Sequence, residues 1–253
     1  MSDEANRAGD AADARRTSLY KLGGAAAVIA GLIFRRWLGA EFLGLRAIGV
    51  IHFGPKTMPA SAADWFALLQ TSRLLGLTLL NAFDIVNYAL VGLIFLGLYA
   101  ALRQANRSAM TLAVAVAFVG IAVYFASNQA FSMLSLSNQY AAATTDAQRS
   151  ALTAAGQALL AINNPVALCP GALGFLLATV AGLIISIVML KSGVFSKATA
   201  YVGILANVFG LGYPLGLAFA PRMVVIPLSA SAPFLLIWYL LIARRLFQLG
   251  SRR

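Results

Sequence analysis

Long apolar runs separated by short polar breaks dominate the chain from residue 19 onward. A helix that crosses a bilayer needs about 20 mainly apolar residues, at about 1.5 Å rise each. Six stretches qualify: 19–38, 74–102, 109–131, 166–190, 198–217 and 223–243. The first has a short uncharged centre, 22–34, so Lys21 and Arg35-Arg36 must snorkel to opposite interfaces, with Trp37 as an anchor. An amphipathic or re-entrant piece follows over 39–51 with Glu41 and Arg46, and Pro55 and Pro59 break the chain after it. Asp64 is the expected N-cap of a helix that begins Trp65-Phe66, and Arg73 marks entry into the second span. The polar segment 138–161 reads as an external loop holding a short helix capped by Thr145 or Asp146, which Asn163-Asn164-Pro165 ends. The predicted fold is all-α, a polytopic transmembrane helical bundle of about six spans with short interfacial helices in the outer loops. One domain, 19–248, lies between a disordered tail over 1–18 and a basic tail over 249–253.

Composition narrows the class. The 253 residues are 60% hydrophobic and 11% charged, with a mean hydropathy of +0.82. Soluble domains carry roughly 25% charged residues. A chain with so few cannot cover a water-facing surface, and its natural solvent is the lipid bilayer. The segment 1–18 is not a secretory signal, because its polar lead-in is long and Arg35-Arg36 stands where a small-residue cleavage site belongs.

The net charge of +11 does not point to nucleic acid. A nucleic-acid footprint clusters Lys and Arg on one face, whereas here they sit singly or in pairs between apolar runs, as topology determinants do. Twelve of the 19 Lys and Arg fall on the side of both termini, and seven on the other. The positive-inside rule therefore puts both termini in the cytoplasm.

Asp84 is the one acid well inside a predicted span. Helical rise puts it roughly 16 Å from Arg73 and roughly 28 Å from Arg103, near mid-depth. A carboxylate at the bilayer centre costs at least about 2.5–3.5 kcal/mol, so it should face the protein interior. Asn81, Asp84 and Tyr88 fall on one arc of the helical wheel, within roughly 60°, and Asn87 lies at its edge. This cluster is a candidate ligand- or ion-binding site or protonatable switch; the plainer alternative is an interhelical hydrogen-bond cluster that fixes packing. Asn207, also near mid-depth, is a candidate partner. Asn128 and Gln129 form a polar strip with Ser132, Ser135 and Gln139 that either lines a vestibule or simply meets water.

Other features have plainer explanations beside the functional ones. Small-residue pairs Ala27/Gly31, Ala178/Gly182/Ser186 and Gly212/Gly216 suit close helix packing within the chain, or a dimer interface. Pro214, Pro227 and Pro233 either break helices at a substrate site or are tolerated by neighbouring helices. His52 and Cys169, the sole histidine and cysteine, do not supply a metal site, a disulfide or a two-histidine haem, and no lysine sits at mid-membrane for a Schiff base. No cofactor is identified. Asn106-Arg107-Ser108 matches a glycosylation sequon but falls on the cytoplasmic side. Hydrolase, phosphate-loop and zinc-protease motifs are absent from the sequence.

The run Asn81-Ala-Phe-Asp84-Ile-Val-Asn87-Tyr88 through Tyr99, followed by Leu102-Arg103 and Asn106-Arg107-Ser108, resembles the bacterial membrane proteins grouped as domain of unknown function 4386. The opening Leu19-Tyr20-Lys21-Leu-Gly-Gly24 and Ser127-Asn128 are similar too, so the resemblance covers 19–248. It implies a six-helix bacterial membrane protein and no assigned activity. Arg35-Arg36 and the basic segment around Arg46 depart from the pattern. The expected function is binding of a small molecule, lipid or ion in an interior pocket, as in a transporter, with a homodimer as the expected assembly. The competing class is a structural or accessory subunit of a larger membrane complex. An intramembrane enzyme is least supported, since it needs paired acids or a histidine near Asp84.

Overall fold

Helices carry the chain because lipid offers no partner for a free backbone N–H or C=O, and only a helix satisfies both within one segment. The computed structural model describes residues 16–33, 59–163, 169–220 and 223–251, and these are helical with no strand among them. A first helix, α1, spans 16–33. It is followed by α2 (Ala62–Thr71), α3 (Arg73–Leu79), α4 (Ala82–Leu102), α5 (Arg107–Ser127) and α6 (Ala130–Ala142). The chain continues with α7 (Asp146–Ile162), α8 (Pro170–Ser192), α9 (Lys197–Phe219) and α10 (Val225–Ser251). Five stretches among the described residues are long and apolar enough to cross a membrane: Ala82–Leu102, Arg107–Ala142, Pro170–Ser192, Lys197–Phe219 and Ile226–Ser251. This is the architecture of a multi-pass membrane protein. The helix over 16–33 coincides with most of the first predicted span; the rest of that span, with Arg35, Arg36 and Trp37, lies outside the described residues, as do the predicted piece over 39–51 with Glu41 and Arg46, and His52.

Local chemistry explains the helix limits. Ser61, not Asp64, caps α2: its hydroxyl accepts from the Asp64 N–H, while the Asp64 carboxylate accepts from the Ser61 N–H at 3.0 Å, a complete capping box. Asp64 sits three residues inside, where a carboxylate complements the positive end of the helix. The Ser61 hydroxyl and backbone N–H hold the Asp64 carboxyl below its usual value of 3.8. Thr145 caps α7 through the Gln148 N–H, as its sequence position suggests. The sequon residue Asn106 caps α5 by accepting from the Ala109 N–H at 3.0 Å. Gly193, at φ 64°, ends α8 in the left-handed conformation that glycine adopts without strain.

The main bundle comprises α1, α4, α5, α8, α9 and α10 around one apolar core containing Ile94, Leu98, Met110, Ile185, Trp238 and Leu246. Close approaches depend on glycine. The Gly23 and Gly97 backbones meet between α1 and α4, and Gly120 and Gly174 meet between α5 and α8. The small residues of the predicted motifs face partners in the same chain. Gly31 packs against Leu236, Tyr239 and Leu240 of α10, Gly182 against Asn207 of α9, and Gly212 and Gly216 against Pro227 and Val224. Both α9 and α10 run through Pro214 and Pro233 as continuous helices.

The start of α1, the α4–α5 turn, the α8–α9 turn and the end of α10 gather at one end of the bundle. Tyr20 reaches the Ala100 carbonyl there, Gly250 packs on Tyr20 and Lys21, and the Arg245 Nε donates to the Val194 carbonyl at 2.6 Å. That end carries Arg16, Lys21, Arg103, Arg107, Lys191, Lys197, Arg244 and Arg245, and no described acid. The helix α10 continues past residue 248, so Gly250 and Ser251 are part of the bundle and not of a tail.

A second layer of α2, α3, α6 and α7 caps the opposite end, packed through Trp65, Phe66, Leu69, Leu80 and Met133. Gln70 donates to the Ser137 carbonyl and hydroxyl, and Ser137 donates to the Phe66 carbonyl, tying α2 to α6. The segment 138–161, read as an external loop holding a short helix, comprises the end of α6, a break over 143–145 and most of α7.

Candidate functional site

The predicted second span, 74–102, is two helices. The chain breaks at Leu80-Asn81, where Asn81 adopts φ 59° and ψ 32°, the one left-handed non-glycine residue among those described. Asparagine tolerates this conformation better than other residues because its short polar side chain bonds locally. The break moves Asp84 from mid-helix to the first turn of α4, beside its positive end. From there α4 extends roughly 27 Å further to Leu102. Asp84 thus stands at the capped end of the bundle, and Asn81 leaves the continuous arc of the helical wheel.

A cavity of about 450 Å³ opens beneath the cap and extends between α4, α5, α8, α9 and α10. Along α4 it stretches from Asn81 to Phe95, roughly 21 Å of helix. Asn81, Asp84, Asn87, Tyr88, Asn128, Gln129 and Asn207, all singled out by sequence, line this one space. Their bonding differs. The Tyr124 hydroxyl donates to Asp84 Oδ2 at 2.9 Å, and the Tyr124 ring stacks on Tyr88 with centroids 3.9 Å apart. The Asn128 side chain donates to the Asn81 carbonyl at 3.0 Å and accepts from the Ala130 N–H, spanning the α3–α4 and α5–α6 breaks. Asn207, by contrast, donates to the Gly203 carbonyl of its own helix at 2.7 Å. It shares the cavity wall with Asp84, but its amide nitrogen is engaged within α9. The Asn87 Oδ1, Gln129 Oε1 and Trp238 Nε1 atoms are buried without a protein partner. Such groups are costly unless water or a ligand satisfies them.

The polar strip beyond Gln129 divides. Ser132, Ser135 and Gln139 are exposed on α6, and Gln139 donates to Ser135. Ser132 and Ser135 edge a wide groove of about 700 Å³ between α6 and α7, with Phe131, Leu136, Leu159 and Ile162. That groove has no Asp, Glu, Lys or Arg among its lining residues, whereas the cavity has Asp84.

Residues that the sequence did not assign to this cluster complete the cavity wall: Tyr124, Thr179, Tyr213, Ser231 and Trp238, with Cys169, noted there only as the sole cysteine. Ser231 donates to the Ala206 carbonyl at 2.8 Å, joining α10 to α9. Tyr213 meets Phe175 edge to face at 5.6 Å. For Tyr124 a signal existed, because a tyrosine hydroxyl inside an apolar helix needs a partner and Tyr124 stands one turn before Asn128. The described residues contain no group of three or more His, Cys, Asp or Glu able to hold a metal. No protein-family model, curated protein or solved structure matches the chain.

Proposed function

We propose that the protein binds a small molecule, lipid or ion in the cavity around Asp84 and works as a carrier-type membrane protein. The observation that supports this most is a carboxylate, bonded to Tyr124, on the wall of a 450 Å³ space between membrane-spanning helices. An acid retained in such surroundings is costly, and function is the default reason for its retention. The proposal includes six spans, with the helix over 16–33 as part of the first. It also includes both termini in the cytoplasm of a bacterial inner membrane, supported by the basic residues at one end of the bundle. The resemblance to the six-helix bacterial family belongs to the same proposal, as does assembly as a homodimer or within a larger membrane complex.

Cys169 provides the test, since it is the one cysteine of the chain, half-buried on the cavity wall. The folded protein in detergent should react with a small maleimide at Cys169. Compounds that raise its melting temperature should slow that reaction, and prior modification should abolish their effect. A thiol that stays inert until unfolding, with no stabilising compound in a broad screen, would mean a closed cavity and favour the accessory-subunit alternative.

A further inference from the structure

The cavity wall carries acid without base: Asp84 is the one Asp or Glu among the described lining residues, and no described Lys or Arg lines the space. The buried groups without partners add two acceptors, Asn87 Oδ1 and Gln129 Oε1, against one donor, Trp238 Nε1. Around them stand aromatic rings: Tyr88, Tyr124, Phe175, Tyr213, Trp238 and Tyr239. Aromatic faces carry negative electrostatic potential and attract cations, more strongly when water is excluded. A carboxylate, spare acceptors and aromatic faces all complement a positive group that donates hydrogen bonds. An anion would meet like charge and no counter-ion on the described wall.

Size and polarity point to the rest of the ligand. The space extends from the carboxyl group at Asp84 down to Phe95, Leu235 and Trp238, so its one acid stands at one end and uncharged, largely aromatic and aliphatic side chains line the other. From this we infer that the ligand is a monovalent organic cation, an ammonium group on an apolar or aromatic body. The ammonium lies at Asp84 and the body lies among the aromatic rings. This inference rests on the proposed binding role of the cavity and adds the ligand class.

Three probes with one aromatic body and different charge separate the two ideas: 2-phenylethylammonium, 2-phenylethanol and phenylacetate. Each is titrated into the purified full-length protein, with affinity read by calorimetry and occupancy read as protection of Cys169 from maleimide. The ammonium should bind tightest, the alcohol at least about tenfold more weakly, and phenylacetate weakest, as expected when a charge-assisted contact is absent. Asp84→Asn should bring the ammonium to within a few-fold of the alcohol. If the alcohol equals the ammonium in the wild type, or phenylacetate exceeds it, the charge assignment is overturned while the cavity remains a binding site. If no probe binds, the assignment is also overturned. Maleimide reactivity at Cys169 in the folded protein then decides separately whether the cavity is accessible. The wild-type comparison stands even if Asp84→Asn fails to fold.

Discussion

The contact between α5 and α8 depends on two glycines that leave no room for a methyl group. A Cβ on Gly120 would lie 2.7 Å from the Gly174 carbonyl oxygen, and one on Gly174 would lie 2.7 Å from the Gly120 carbonyl oxygen. Ordinary contact begins at 3.4 Å, so each substitution is short by about 0.7 Å against backbone that cannot rotate away. The helices must separate, and overpacking of this kind costs about 1–3 kcal/mol. Gly31 is the control: a Cβ there meets its nearest atoms at 3.7 Å or more, and α-helical Gly→Ala at a compatible site gains roughly 0.4–1 kcal/mol. Thermal unfolding of purified protein, followed by tryptophan fluorescence, should place Gly120→Ala and Gly174→Ala below wild type and Gly31→Ala at or above it. The scale is roughly 2–4 °C per kcal/mol for a chain of this size. Gly174→Ala also pushes on the Tyr124 Cβ at 3.0 Å, so it should weaken ligand binding as well as stability. Equal melting temperatures for all three variants would refute the packing argument.

Tyr124→Phe keeps the ring on Tyr88 but removes the donor to Asp84, and should lower stability by about 1 kcal/mol in chemical or thermal unfolding. Ser61→Ala should cost about 1 kcal/mol through loss of the α2 cap, seen as faster amide exchange confined to the first turns of α2. Asp64 titrates below its usual value in the folded state, so its share of that cap is complete above pH 3.8 and is lost as pH falls below it. Protection factors in α2 should therefore drop on acidification below that value in wild type, and Asp64→Asn should remove the dependence. In intact cells, a maleimide that cannot cross the inner membrane should label Cys169 from outside the cytoplasm if the termini are cytoplasmic; labelling only after lysis would reverse the orientation.

Much of this protein is written in its hydrophobic pattern. Apolar runs of about 20 residues leave few alternatives to a spanning helix, because the backbone must satisfy itself in lipid. That is why α4, α5, α8, α9 and α10 were legible, and why Thr145 could be read as the start of α7. Asp84 also stood out from sequence, since an acid among apolar residues is conspicuous wherever the helix places it. Its surroundings did not. The break at Asn81 depends on a left-handed backbone that costs little for asparagine and leaves no trace in hydropathy. The capping box at Ser61 showed only as an acid near a helix start, and assigning the cap to Asp64 placed it three residues late. The pairing of Tyr124 with Asp84 joins residues 40 positions apart, and helix periodicity says nothing about which faces of two helices meet. Asn207 shows the converse: the hydropathy pattern sets it at the same depth as Asp84, but the break at Asn81 carries Asp84 to the capped end, and the Asn207 amide turns to its own helix. Sequence alone determined that the chain forms apolar helices and that one of them carries an acid, because solvent and backbone hydrogen bonding decide those locally. Only the tertiary structure decided that the acid faces a cavity walled by aromatic rings, because that depends on the break at Asn81 and on which faces of α4, α5, α8, α9 and α10 meet.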